Sequence, residues 1–204
     1  MIIRQIKLGL IDNFCYVVGD EATLEGAVVD PSANAPRIME EVNNLKLDVK
    51  YIINTHGHGD HTGANQDLVK ATGARIAAHA LCQTPHHIPL HDGIILKIGN
   101  LDLKIIHTPG HTTDGICILA GSKALFTGDT LFVGECGRAD LPGSSPEALW
   151  HSFFDKLAKL PDDVLVLPGH DYGKKPFSTL GEERKTNYTL KPRTLEEFLK
   201  FMAE

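Results

Sequence analysis

Cysteine is sparse and unpatterned in this sequence. Cys15, Cys82, Cys117 and Cys136 stand far apart and form no C-x-x-C pair, which excludes a zinc ribbon and offers nothing for a disulfide framework. They read as small buried hydrophobes. There is no basic run, and 20 Lys and Arg against 26 Asp and Glu leave a formal charge of −6, so no nucleic-acid partner is expected. No apolar stretch approaches the roughly 20 residues of a membrane-spanning helix. The N-terminus, MIIRQIKLGL, alternates like a strand and lacks a signal-peptide core and cleavage site. The expectation is therefore a cytoplasmic protein with no membrane partner. What remains is an ordinary globular composition, 204 residues with 42% hydrophobic and 23% charged, suited to one domain over residues 1–204 with short C-terminal helices from about 179.

Histidine stands out, with 11 residues, several packed into short motifs. Around them the first half of the chain reads as strand-rich. Ile2–Ile6, Phe14–Val18 and Gly26–Val29 are short strands between turn residues, the third ended by Asp30-Pro31. Ala35–Asn43 is a short helix, and VKYIIN at Val49–Asn54 is an apolar run of strand length, read as buried on both faces. A helix is expected over Thr62–Thr72, leaving THGHGDH as a strand-to-helix loop. Further strands are Arg75–Ala78, Ile94–Ile98, Leu101–His107, Ile116–Ala120 and Ala124–Thr127, with Gly99-Asn100 turning a hairpin.

The second half gains helices. Ser144 through Glu147 reads as a capping box with Pro146 in the first turn, followed by Leu149, Trp150, Phe153, Phe154, Leu157 and Leu160 at helical spacing. Val164–Leu167 is a strand, and Thr179/Glu182 and Thr194/Glu197 start two short helices. Two packed sheets with helices outside fit this order, although periodicity does not choose that layout over other α+β or α/β arrangements.

The strongest signal is His56-Gly57-His58-Gly59-Asp60-His61, four potential metal ligands at the end of a buried strand. His56 and His58, two apart in extended backbone, can point their rings to one side, and the following turn can direct Asp60 and His61 to a second point nearby. Imidazole and carboxylate suit zinc, iron or manganese. Three later positions repeat a pattern of apolar strand, glycine, ligand: His111 in TPGHT, Asp129 in FTGDT and His170 in LPGHDY. Ligands on strand-end loops can converge at one edge of a fold.

HGHGDH followed by TPGH, TGD and PGH resembles the metallo-β-lactamase superfamily over almost the whole chain. The resemblance implies an α+β fold, a four-layer αββα sandwich with the metal site at one edge between the sheets. It implies two divalent metal ions, with His56, His58 and His111 on the first, Asp60, His61 and His170 on the second, and Asp129 bridging. Asp30 resembles the family's early aspartate near the ligands; an Asp-Pro turn ending a strand explains it equally well.

GDTLFVGECGRADL resembles the glyoxalase II and persulfide dioxygenase branch, and ALWHSF…PGHDY…GEER…LEEF resembles the dioxygenase type more closely. The long C-terminal helical domain of glyoxalase II has no counterpart in the residues after His170. Arg138 and Tyr172 match substrate-contacting positions of the dioxygenases, although a surface salt bridge also explains Arg138. A second arginine is expected shortly after GEER, where the chain reads Asn187-Tyr188-Thr189, and Arg193 lies out of register. Cys136 reads as a packed loop residue. The resemblance thus implies one of two activities on a small thiol-derived substrate. The first is hydrolysis of an S-acyl-glutathione-like thioester by a hydroxide shared between two metals, with Asp60 orienting it. The alternative is a persulfide dioxygenase with a single iron(II) held by His56, His111 and Asp129. The full seven-ligand set and the missing arginine favour the hydrolase, and a homodimer is compatible with either.

Overall fold

The computed structural model describes residues 1–9 and 11–203. The first half of the chain forms β1 (Ile2–Leu8), β2 (Asn13–Gly19), β3 (Glu25–Val29), α1 (Ala35–Asn44), β4 (Asp48–Ile53), α2 (Gly59–Thr62), α3 (Asn65–Thr72), β5 (Arg75–His79) and β6 (Ile88–Leu90). Its strands make one sheet in sequential order, β1 to β6. The second half forms β7 (Ile95–Ile98), β8 (Leu101–His107), β9 (Ile116–Ala120), β10 (Ala124–Gly128), α4 (Pro146–His151), β11 (Leu165–Pro168), β12 (Ser178–Thr179), α5 (Leu180–Thr186) and α6 (Leu195–Met202). Its strands make a second sheet, again in sequential order.

The layers follow from the alternation along single strands. On β2, Phe14, Tyr16 and Val18 face the second sheet and pack with Leu103, Ile105, Ile118 and Phe126. Their neighbours Cys15 and Val17 face the other way, onto Ile38, Val42 and Leu68 of α1 and α3. On the second sheet Cys117, Leu125 and Val166 turn outward onto Leu149, Phe153 and Phe198. Central strands covered on both faces need no polar side, which is why β2, β9 and β10 are buried throughout. The result is the αββα sandwich. No helix of the described residues is long and apolar enough to cross a membrane.

The hairpin at Gly99-Asn100 forms in the expected register, Ile98 opposite Leu101. Three expectations need correction. The helix over Thr62–Thr72 is two helices, because the Ala64 amide donates to the Pro31 carbonyl at 2.9 Å and so leaves the helical ladder. The first of the two starts at Gly59, so Asp60 and His61 sit on a helical turn, where a loop was expected. The cap of α4 is Ser145, whose hydroxyl accepts from the Ala148 amide, while Ser144 donates to the Leu141 carbonyl. Beyond α4 the aromatic stripe continues through a π-helical turn, Ser152–Lys156, and a 3-10 turn, Leu157–Lys159. Thr179 and Thr194 cap α5 and α6 as expected.

Candidate metal centre

The seven histidines and aspartates named above meet at the rim between the two sheets. Their carriers are the segments that follow β4, β8, β10 and β11. Three groups of ligand atoms each lie within 4.8 Å of one another: His56, His58 and His111; His56, His61 and Asp129; and Asp60, His61 and His170. His56 therefore belongs to two groups, and His61 joins Asp129 to the third.

The outer nitrogens of the rings are fixed by partners that define their protonation. His111 Nδ1 donates to the Arg138 carbonyl at 2.7 Å and His170 Nδ1 to the Ile11 carbonyl at 2.9 Å. A carbonyl only accepts, so both rings in their neutral form carry their lone pair on Nε2, pointing inward. His61 Nδ1 faces Asp30 Oδ2 at 3.1 Å, which directs its Nε2 inward in the same way. The inward nitrogens then face each other closely: His61 Nε2 and His170 Nε2 at 3.2 Å, His56 Nε2 and His58 Nδ1 at 3.0 Å, His111 Nε2 and His58 Nδ1 at 3.1 Å. Asp129 Oδ1 is buried without a hydrogen-bond donor. With the rings neutral, lone pairs crowded around a buried carboxylate repel one another unless a proton or a metal cation lies among them. The residues fit divalent metal, and the mixed nitrogen and oxygen donor set fits zinc, iron or manganese.

Charges in the metal-free protein agree with this geometry. Burial opposes a charge on His61, yet the Asp129 and Asp30 carboxylates lift its pKa well above the usual imidazole range. Burial also opposes ionisation of Asp129, and the charge of His61 with the hydrogen bond from His170 holds it well below the usual carboxylate range. His56 goes the other way: burial, reinforced by His61, keeps it well below the usual range and hence neutral. A cation entering the centre must displace the proton on His61. Metal uptake near neutral pH is expected to release about one proton per chain and to weaken as the pH falls; a pH-indicator titration in weak buffer reads this directly, and uptake with no proton release would contradict it.

Asp30 combines the two roles open for it. It ends β3 at a positive φ of 50°, and its carboxylate accepts from the Thr55 amide at 2.7 Å and the Thr55 hydroxyl at 2.6 Å while facing His61. It thus ties the strand end before His56 to the His61 ring. Asn13, at the start of β2, is a positioning residue that sequence reasoning missed. It is buried, and its amide donates to Asp60 Oδ2 at 2.9 Å and to the Asp60 carbonyl at 3.2 Å. Its backbone also bridges His170. An Asp60 partner lying 47 residues upstream, with no motif around it, leaves no local signal.

The glycine of PGH has a specific task. A Cβ on Gly169 would lie 2.4 Å from Asp129 Oδ1 and 2.9 Å from His61 Cε1. Gly169→Ala is therefore expected to displace Asp129, lower the metal bound per chain and reduce turnover roughly 100-fold with the circular dichroism unchanged. Full metal content in that variant would show that the close approach is immaterial.

Arg138 and Tyr172 lie beside the centre. Tyr172 stacks on His170, 4.7 Å between ring centroids at 11°, and lines a cavity of about 780 Å³ together with Arg138, Phe132 and Tyr188. Arg138 contributes its carbonyl to His111, and its guanidinium forms a bidentate pair with Asp140 at 2.9 and 2.8 Å. The salt-bridge reading of its side chain therefore holds alongside its place on the cavity wall. Cys136 is buried, and burial pushes its thiol up to about 12, which makes it unreactive near neutral pH. Asn187, in the segment where an arginine was expected, is buried and donates to the Phe132 and Glu135 carbonyls. Arg193 donates to the Tyr188 and Lys191 carbonyls and covers the Phe201 ring.

Comparison with known proteins gives the same direction as the geometry. Residues 8–81 and 83–170 match the family described as Metallo-beta-lactamase superfamily. The chain is 38% identical over 95% of its length to a hydroxyacylglutathione hydrolase of Rhodospirillum rubrum, of which it covers 75%. It is 33% identical over its full length to the mitochondrial persulfide dioxygenase ETHE1 of Homo sapiens, of which it covers 81%. Among solved structures, ETHE1 from Myxococcus xanthus superposes with a TM-score of 0.94 at 32% identity, covering 100% of this chain and 91% of that one.

Proposed function

The chain belongs to the metallo-beta-lactamase superfamily, and from that premise we propose that it hydrolyses a thioester of a small thiol at a two-metal centre. The observation that carries this reading is the group Asp60, His61 and His170. All three are held by partners outside the group: Asn13 on Asp60, Asp30 on His61 and the Ile11 carbonyl on His170. Such support is what a second metal position needs.

Two divalent cations held here would polarise the acyl carbonyl and acidify a bound water. His56, His58 and His111 would hold the first, Asp60, His61 and His170 the second, and Asp129 would serve both. The Asp60 side chain is one-third exposed, with Oδ2 held by Asn13; its other oxygen accepts a proton of the attacking water and aims it at the acyl carbon. Water adds to the acyl carbon, the C–S bond breaks, and the sulfur leaves as a thiolate, the proton held on Asp60 passing to it or to solvent. A thiolate needs little acid assistance, which is why the site works without a separate proton donor. Asp30 keeps His61 in the tautomer whose Nε2 faces the metal. Tyr172, stacked on His170, forms the wall against which the substrate lies.

Arg138 holds the substrate through the guanidinium N–H groups that Asp140 leaves free. That contact is the same in ground state and transition state, so Arg138→Ala is expected to raise KM about 10-fold with kcat within a factor of about 2. A fall in kcat at constant KM would move Arg138 to the chemistry itself.

The second reading is persulfide oxidation by one iron(II), and what supports it is the full-length likeness to ETHE1. Release of thiol from S-acetylglutathione and S-lactoylglutathione, measured beside oxygen uptake with glutathione persulfide, separates the two. Thiol release without oxygen uptake supports the hydrolase, and the reverse overturns it.

A further inference from the structure

The cavity of about 780 Å³ that adjoins the centre has apolar walls from Phe132, Tyr172, Tyr188 and Phe201. Its charged lining, among the described residues, consists of Glu135, Arg138 and Asp140. The one cation of the three is already paired, Nε and Nη2 of Arg138 each meeting one oxygen of Asp140. Both side chains are exposed, so the pair adds little to stability, but it cancels the field that Arg138 would present to an incoming anion. Glu135 is left in excess. Its carboxylate accepts from the Tyr188 hydroxyl and the Cys136 amide, two neutral donors that leave its charge in place.

The adjoining cavity of about 670 Å³, which shares Glu135 and Tyr172, does not reverse this balance. Lys174 and Lys175 line it against Glu135, Glu182 and the buried Glu183; Lys175 is bonded to Glu182, so Lys174 is the one cation of this cavity, among the described residues, without a carboxylate partner. A thiol whose body carries carboxylates a few bonds from the sulfur would place them, partly desolvated, beside Glu135 and Asp140, with no unshared cation among the described residues that line the first cavity; Arg193 lies behind the Phe201 wall, bonded to the Tyr188 and Lys191 carbonyls. Unpaired buried charge is costly, and like charges at a recognition surface are the usual means of rejecting a ligand. Aromatic walls and the remaining N–H groups of Arg138 instead suit a slender arm of methylenes and amides, whose carbonyls need donors but no counter-charge.

We propose that the thiol half of the substrate is an uncharged amide arm of the pantetheine kind, and that Glu135 and Asp140 select it over carboxylate-bearing peptide thiols; this rests on the thioester reading above. It departs from the glutathione named in one relative, and the difference is assigned to these two side chains.

Two measurements test it. First, kcat/KM is compared for S-acetylpantetheine and S-acetylglutathione, which share the acyl group. A preference of roughly 10-fold or more for the pantetheine ester is expected, and an equal or opposite preference overturns the proposal. Acetyl coenzyme A and an acetylated carrier protein run as separate arms; hydrolysis of either above that of S-acetylglutathione supports the proposal and identifies what bears the arm. The double variant Glu135→Gln, Asp140→Asn should raise kcat/KM for S-acetylglutathione relative to S-acetylpantetheine by roughly 10-fold. No gain in a folded, metal-loaded variant overturns the role of the two carboxylates. Second, calorimetric binding of S-methylpantetheine and S-methylglutathione needs no turnover. Tighter binding of S-methylglutathione overturns the proposal. Tighter binding of S-methylpantetheine without hydrolysis of any thioester retains the arm and discards the thioester reading, so the two failures are distinguishable.

Discussion

Asp129→Ala is expected to abolish turnover and to lower bound metal more than any other single change in the centre. Asp129 is where the ligand groups join. Its oxygens lie 3.3 Å from His61 Nε2, 3.4 Å from His170 Nε2 and 3.5 Å from His111 Nε2, so the carboxylate touches rings assigned to both metals. Losing it also removes the chief negative charge facing His61, whose raised pKa in the metal-free protein depends first on Asp129. The centre then offers imidazoles and Asp60 but no bridge. A fall of roughly 10³-fold or more in turnover, with loss of metal by elemental analysis, is expected from the removal of a group acting on both cations. The charge-neutral, nearly isosteric Asp129→Asn separates volume from charge and should lose activity to a similar degree. Near-normal metal and turnover in either variant would contradict the assignment for the hydrolase and the dioxygenase alike.

His170→Ala carries the second large effect and discriminates between them. The ring is held by the Ile11 carbonyl, stacked on Tyr172 and directed at His61 and Asp60. In a two-metal hydrolase its removal should release one metal equivalent and reduce thioester hydrolysis roughly 100-fold or more. In a one-iron enzyme the same change touches only the surroundings of the iron. Iron would stay near one per chain, and persulfide-dependent oxygen uptake would fall by roughly 10-fold at most.

The cluster of histidines and aspartates was legible because each member sits in a short motif at the end of an apolar strand, and strand ends are what the fold brings to one rim. The sandwich itself came from the resemblance, since strand and helix order alone left other layouts open. The groups that aim the ligands were less legible. Ile11 and Arg138 act through backbone carbonyls, which no side-chain pattern records. Asn13 reaches Asp60 across 47 positions. The break between α2 and α3 arises where the Ala64 amide donates to the Pro31 carbonyl, and an apolar period cannot register it. The short edge strands β6 and β12 were also missed: Ile88–Leu90 contains a proline, and Ser178–Thr179 spans only two residues. Asp140, two positions after Arg138, was readable as a candidate partner, but its bidentate geometry needs the loop that carries both.

The number of metals the centre holds, and what that number does when the second position is removed, separates hydrolase from dioxygenase most directly. Wild type and His170→Ala, prepared without added metal, should be measured for metal per chain and assayed side by side for thioester hydrolysis and persulfide-dependent oxygen uptake. The account predicts about two equivalents in the wild type falling to about one in the variant, with hydrolysis lost. One iron in both proteins, with oxygen uptake preserved, would contradict it and make the chain a dioxygenase.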